Sequence, residues 1–317
     1  MITKDISKGI EALYKNELVA LPTETVYGLA GNAYNESAIK KIFELKKRPL
    51  YNPLIVHLHS TEQLKEVAKE IPEKAKILAE KFWPGSLTLV LKKQDHISDL
   101  VTAGKDTVAV RVPQHLMALA LLEQLDFPLV APSANPFGSI SPTSAQHVWD
   151  YFQDKLPVIL DGGNCSNGVE STIVGFRGDT VVLYRHGSVS VEEIEQVVGR
   201  IEMVIHDNAT PDAPGMLSKH YAPKTPAILT DHIEEEVLKN TGKNIGVLVF
   251  KDQLKGNETV HQEILSSEGN LKEASKNLYA ALHRLDAMKL DIIIAERFPD
   301  YGLGITLNDR LSRAVKR

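Results

Sequence analysis

The chain has 317 residues, 43% of them hydrophobic and 24% charged, which is ordinary for a globular protein with a sizeable core and is a soft prior for two domains. Lys and Arg number 36 against 41 Asp and Glu, a net charge of -5; this excludes a global basic field for non-specific nucleic-acid binding, so any anion site must be built locally. The single cysteine, Cys165, excludes an intramolecular disulfide and suits a reducing cytosol. The charged stretch MITKDISKGIEALYKNE has no secretory core, and no apolar run approaches the roughly 20 residues of a membrane helix.

In chain order, residues 5–16 read as an amphipathic helix and LVALPT as a strand. NESAIKKIFELKKR carries an N-cap-like Asn35 and apolar Ile39, Ile42, Phe43 and Leu45 at helical spacing. PLIVHLH is a strand, and TEQLKEVAKEIPEKAKILAEKFW is helical with a break near Pro72. SLTLVLKK and TVAVRVP are strands, HLMALALLEQL a helix, and PLVAPSAN a strand entering a turn. PVILDGG, STIVGF and TVVLYRHG read as strands, then SVEEIEQVVG as a helix. Strands and helices intermix without strict alternation, so the expectation for residues 1–205 is an α/β domain around a mixed, twisted sheet. HDNATPDAPGMLSKHYAPKTP lacks periodicity and reads as a linker, residues 206–226. Residues 227–317 alternate strand and helix, as expected of a smaller three-layer, Rossmann-like α/β domain.

The candidate chemistry lies on turns. LPTETVYGLAG places Thr23, Glu24, Thr25 and Tyr27 at a strand end before glycines; these either cap the next helix or present hydroxyls to a small polar ligand. ELKKRPLYN sets Lys46, Lys47 and Arg48 just past a helix C-terminus, with Asn52 between Pro49 and Pro53. Cations there either complement the helix dipole or, on a stiff loop, hold phosphates at low entropic cost. His57 and His59 share a strand face without a convincing third metal ligand, so a single histidine as a polar contact is the preferred reading. In TVAVRVP, Thr107 and Arg111 share a face, where the arginine is either solvated or poised for a carboxylate. The Ser-, Asn- and Gly-rich APSANPFGSISPTS and DGGNCSNGVESTIV offer hydroxyl and backbone donors of the kind anion sites need, and Arg177 and Arg185 follow. There is no P-loop, no G-x-S-x-G elbow and no H-E-x-x-H. Hydroxyls, guanidiniums and ammoniums on loops fit phosphoryl or nucleotidyl transfer, in which the protein mainly positions groups and offsets charge.

Together PTETVYGLAGNA, FELKKRPLYNPLIVHL, FWPGSLTLVL, VAVRVP, APSANPFGSISPTS and ILDGGNCSNGVESTIV resemble the threonylcarbamoyl-AMP synthase family, whose catalytic part is the YrdC-like domain. The paired signatures stand here as Lys46/Arg48 and Ser133/Asn135, and PGMLSKHYAP with the second domain resembles the long, two-domain form. The resemblance implies a YrdC-like twisted sheet around a central cavity. It also implies conversion of L-threonine, bicarbonate or CO2, and ATP to threonylcarbamoyl-AMP and pyrophosphate, for N6-threonylcarbamoyladenosine beside the tRNA anticodon. It implies a threonine pocket of Thr25, His57, Arg111, Ala131 and Ser171. ATP contacts would come from Arg48, Asn52, Thr107, Ser133, Asn135, Ser141, Arg185 and the linker's Tyr221, with Lys46 and Arg48 near the phosphates as catalytic cations. Arg111 would take the threonine carboxylate bidentately, and the linker around Tyr221 would serve as a lid. Mg2+ is expected with ATP, with no protein ligand assigned. A downstream transferase partner and cytoplasmic location follow; weak tRNA or RNA binding is admitted, and no membrane contact is expected. Two rivals stand beside this reading: an RNA-binding module without chemistry, and a carbamoyl-phosphate-using transferase, whose acylphosphatase and four-cysteine zinc modules this chain lacks.

Overall fold

A computed structural model describes residues 1–204, 214, 220–255 and 260–316. Among these, strands between Ile2 and Met203 build one large mixed sheet, and strands between Ala227 and Glu296 build a separate parallel sheet of four. The large sheet runs in the order Ile2–Thr3, Val158–Leu160, Val19–Leu21, Gly28–Asn32, Leu129–Val130, Ile55–His57, Thr107–Arg111, Leu87–Lys93, Thr172–Arg177, Thr180–Arg185, Glu202–Met203. Its central strands are buried on both faces, so they read as short continuous apolar runs rather than alternating ones.

Helices are set by caps that the sequence announces. Asn35 accepts from the Ala38 N–H at the start of Glu36–Lys46, and Ser190 with Glu193 closes a reciprocal capping box on Val191–Val198. The helical stretch around Pro72 resolves into three pieces: a short helix, Leu64–Val67; a two-residue strand, Ala68–Lys69; and a second helix, Glu73–Phe82, with Pro72 at its N-cap. Proline has no N–H to give the ladder, so the break falls there. Several elements carried no sequence signal, two of them beside the candidate loops. Gly28–Asn32 pairs antiparallel with Val19–Leu21 although it is mostly glycine and alanine, and Ala145–Phe152 is a helix capped by Ser144 immediately after the Ser-rich loop.

In the C-terminal sheet the order is Ala227–Thr230, Ile292–Glu296, Ile245–Val249, His261–Ile264, all parallel, covered by helices Ile233–Lys239, Leu271–Ala287 and Leu303–Ala314. Its core does not stop at the domain edge. Leu278, Tyr279, Leu282 and Leu311 pack in one cluster with Val26, Ile140 and Val169 of the first half and with Tyr221. The backbones approach closely at Gly168, φ +74°, where a Cβ would sit 2.4 Å from the Lys276 carbonyl oxygen.

Candidate active site

Parallel pairing of Ile55–His57 with Thr107–Arg111 sets His57 beside Arg111. Both side chains face a cavity whose walls also include Thr25, Ala131, Ser133, Ser171, Arg48 and Arg185. Pro214, His220 and Tyr221 border the same cavity. The two loop signatures and the two arginine-bearing strands, far apart in sequence, therefore converge.

The helix ending at Lys46 explains how three consecutive cations are sorted. Lys47 takes the left-handed conformation (φ 53°), its N–H reaching the Glu44 carbonyl while the Arg48 N–H reaches Phe43. This is a Schellman turn with lysine where glycine is usual. It sends Lys47 to solvent and buries Lys46 and Arg48. Lys46 does not line the cavity. Its Nζ donates to the backbone carbonyls of Ser133 and Asn135, and its own carbonyl accepts from the Phe137 N–H at 2.7 Å. Lys46 thus ties down the Ser-x-Asn loop. Burial, then the neighbouring Arg48, pushes its pKa well below the usual lysine range.

Arg48 reaches the cavity. Its Nε donates to the Asn52 carbonyl (3.2 Å) and its Nη2 to the Pro53 carbonyl (2.7 Å). Arg185 donates to the Ser171 carbonyl and hydroxyl (2.8 and 3.1 Å from Nη2) and to the Pro214 carbonyl (3.1 Å from Nη1). Burial and the facing Arg185 make the charged form of Arg48 costly, yet a guanidinium does not give up its proton in a protein. Among the described residues neither Arg48 nor Arg185 makes an ion pair with a carboxylate. Two buried cations facing one cavity are a standing demand for an anion.

At the other end, Arg111 is committed in part. Nη2 pairs with Glu24 Oε1 at 2.7 Å and Nη1 donates to Thr25 Oγ1 at 2.9 Å, while Nε is buried without a partner among the described residues. Glu24 also accepts from the Ser86 hydroxyl and the Gln114 N–H. The arginine therefore does not offer the free fork expected from the sequence: both Nη atoms are already engaged. Beside it, burial and then the Arg111 charge lower the His57 pKa to about 3, so the imidazole is neutral. Nδ1 lies 3.2 Å from the Ile55 carbonyl; a carbonyl only accepts, so Nδ1 carries the proton and Nε2 is the acceptor.

Other expected residues sit behind the wall. Asn135 uses its amide to bond the Pro136 and Ser139 carbonyls and bridges the loop. Both amide atoms of Asn52 are buried without partners among the described residues. Thr107 stands at the far end of the Arg111 strand, half-buried and outside the lining. Ser141 donates to Glu170 Oε1 at 2.7 Å and touches the site through it. Arg177 is exposed at its strand's end. Glu170, Pro214 and His220 escaped sequence reading. Glu170 directly precedes Ser171, but nothing in VEST marks its carboxylate as buried. His59 is only partly buried, and no group of three or more His, Cys, Asp or Glu able to hold a metal ion occurs among the described residues. The carboxylates Glu24 and Glu170 are each occupied by several donors. No helix among the described residues is long and apolar enough to cross a membrane.

A profile described as "Telomere recombination" (Sua5_yciO_yrdC) matches residues 11–187, and one described as "Threonylcarbamoyl-AMP synthase, C-terminal domain" matches residues 189–315. The threonylcarbamoyl-AMP synthase of Pyrococcus abyssi is 44% identical over 95% of this chain and 91% of its own. That of Bacillus subtilis is 41% identical over 98% and 92%. Among solved structures, P. abyssi Sua5 complexed with L-threonine superposes with a TM-score of 0.91 at 41% identity, covering 98% of this chain and 94% of that one. Escherichia coli YciO, 20% identical with a TM-score of 0.50 over 59% of this chain and 93% of its own, shares the fold.

Proposed function

The chain belongs to the threonylcarbamoyl-AMP synthase family, and on that premise we propose how its cavity divides the work of the reaction. The enzyme joins L-threonine, bicarbonate or CO2, and ATP into threonylcarbamoyl-AMP with release of pyrophosphate, for the N6-threonylcarbamoyladenosine of tRNA.

L-threonine takes the His57–Arg111 end. Its carboxylate meets the Arg111 guanidinium, whose plane is fixed by Glu24 and Thr25. Neutral His57 presents Nε2 as an acceptor toward the amino acid's hydroxyl or amine. Ala131 and Ser171 close the walls. The amine adds to CO2, losing a proton and forming the carbamate N–C bond. A carbamate oxygen then attacks the α-phosphorus of ATP, and the bond to the β-phosphate oxygen breaks, its electron pair leaving with pyrophosphate. Charge gathers on phosphorus oxygens and leaving group, where Arg48 and Arg185 offset it.

The single observation that carries this reading is the pair of buried guanidiniums, Arg48 and Arg185, which among the described residues make no ion pair with a carboxylate and line the same cavity as His57 and Arg111, the nearby Glu170 being bonded instead to Arg310. Ser133 completes the phosphate end from the wall, while Asn135 supports it from behind by bridging its loop and Asn52 lies buried behind Arg48. Lys46 serves it by holding the loop, and Thr107 contributes through the strand that carries Arg111. Glu24 and Glu170 are each occupied by several donors, so neither is assigned to magnesium; a magnesium ion arriving with ATP would supply further offset of the phosphate charge beside Arg48 and Arg185. Pro214, His220 and Tyr221 border the cavity, a position from which they would keep water from a labile carbamate, while the rest of the expected lid up to His220 lies outside the described residues. In a solved variant of P. abyssi Sua5 an adjacent His and Tyr are both replaced by alanine; the only consecutive His–Tyr here is His220–Tyr221. Residues 1–205 form the catalytic domain, 206–226 the linker and 227–317 the second domain. The product passes to a threonylcarbamoyl transferase acting on tRNA, which places the work in the cytoplasm. Pyrophosphate release from ATP tests the reading: it is expected to require L-threonine and bicarbonate together. Release independent of threonine rejects it.

A further inference from the structure

We propose that Glu170, gripped by Arg310 and Tyr279, is a positioning residue through which the C-terminal domain holds the nucleotide end of the cavity in shape. The inference rests on the ATP placement given above. Glu170 lies in the cavity wall and accepts from three directions. Ser141 Oγ donates to Oε1 at 2.7 Å, Tyr279 OH to Oε2 at 3.0 Å, and Arg310 Nε to Oε2 at 2.8 Å. The last two donors belong to helices Leu271–Ala287 and Leu303–Ala314 of the C-terminal domain.

Arg310 is 1% exposed and reaches further. Its Nη2 donates at 2.6 Å to the carbonyl of His186, the neighbour of Arg185, while Glu170 is the neighbour of Ser171. One guanidinium thus bonds the side chain of Ser171's neighbour and the backbone of Arg185's neighbour, flanking the Arg185–Ser171 contact. The same guanidinium lies 5.0 Å over the Tyr221 ring, which stacks on Tyr279 at 5.7 Å. Two side chains of the second domain therefore hold Ser141, Arg185 and Tyr221, three of the expected ATP contacts. Burial works against the Glu170 charge, yet Arg310, Arg185 and the Ser141 hydroxyl keep its pKa at about 2. A carboxylate facing an anion site is unfavourable for ATP unless its charge is spent elsewhere, and Arg310 spends it.

Calorimetric titration of the full chain with ATP plus magnesium, and separately with L-threonine, tests the proposal. Glu170→Gln keeps the shape and one acceptor but frees Arg310, and is expected to weaken ATP about tenfold. Tyr279→Phe removes one donor without changing the packing and is expected to weaken ATP about threefold. In both, the loss of L-threonine affinity, felt only through Ser171, is expected to be smaller than the loss of ATP affinity, whereas general loosening of the fold would lower both alike. Ser141→Ala is the reference. If Ser141→Ala weakens ATP while Glu170→Gln and Tyr279→Phe do not, the positioning role is overturned and the ATP placement stands. If none of the three changes ATP affinity, the ATP placement itself fails and the proposal with it. Should Glu170→Gln fail to fold, Tyr279→Phe decides alone.

Discussion

Glu24 Oε1 lies 2.7 Å from Arg111 Nη2, and each side chain is only 4% exposed. A pair this deep holds the arginine's plane but does not make it available on all sides. It also makes the wall sensitive to loss of one partner, because the remaining charge has no water to turn to.

Glu24→Ala is therefore expected to destabilise the protein by about 3–5 kcal/mol, read from urea unfolding. Glu24→Leu/Arg111→Leu should recover most of that stability while abolishing L-threonine binding. A double variant as unstable as Glu24→Ala would show that the pair is not what stabilises this wall.

Among the described residues Arg48 bonds two carbonyls, those of Asn52 and Pro53, and pairs with no carboxylate, so removing it strands no buried carboxylate there. Arg48→Ala is expected to lower turnover by about 10²–10³ while the protein stays folded. Near-normal turnover would remove Arg48 from the phosphate end.

Lys46 separates two roles. As a clamp on the Ser133 and Asn135 carbonyls, its replacement in Lys46→Met strands two buried acceptors and should cost about 2 kcal/mol of stability. KM for ATP is expected to rise several-fold. A loss of kcat at unchanged stability would instead return Lys46 to direct phosphate contact.

Buried histidines set the acid response. His57, His147 and His220 have pKa values lowered to about 3 and His283 to about 4, in each case chiefly by burial. A group whose folded pKa lies below its unfolded value of about 6.5 contributes stability that is complete above that value and drains as pH falls toward the folded one. Unfolding free energy should thus already decline between pH 6.5 and 4. Glu170, at about 2, extends the decline below the ordinary carboxylate range. His147 and His283 stack at 3.9 Å between the two halves of the chain. His283→Gln should reduce the difference in urea midpoint between pH 7.5 and pH 5. An unchanged difference would mean that this pair does not titrate on unfolding.

Much of the site was legible because its chemistry sits on turns with strong local signals. Arg48, His57, Arg111, Ser133, Ser171 and Arg185 all reach one cavity. What escaped was fixed by long-range packing. Gly28–Asn32 is a strand only because its neighbours Val19–Leu21 and Leu129–Val130 pair with it, and glycine carries no strand preference of its own. Lys46 read as a phosphate cation because nothing local tells that the loop eighty-odd residues later folds its carbonyls over Nζ. Glu170 was silent because its partners, Tyr279 and Arg310, lie more than a hundred residues away in the second domain.

The central claim is that one cavity joins threonine, inorganic carbon and the α-phosphate of ATP. Incubation of the purified chain with ATP, magnesium, L-threonine and ¹³C-bicarbonate, followed by mass spectrometry of the adenylates, addresses it most directly. The account predicts a threonylcarbamoyl-AMP that carries the heavy carbon and vanishes when threonine is withheld. An adenylate lacking the label, or AMP formed equally without threonine, would contradict it.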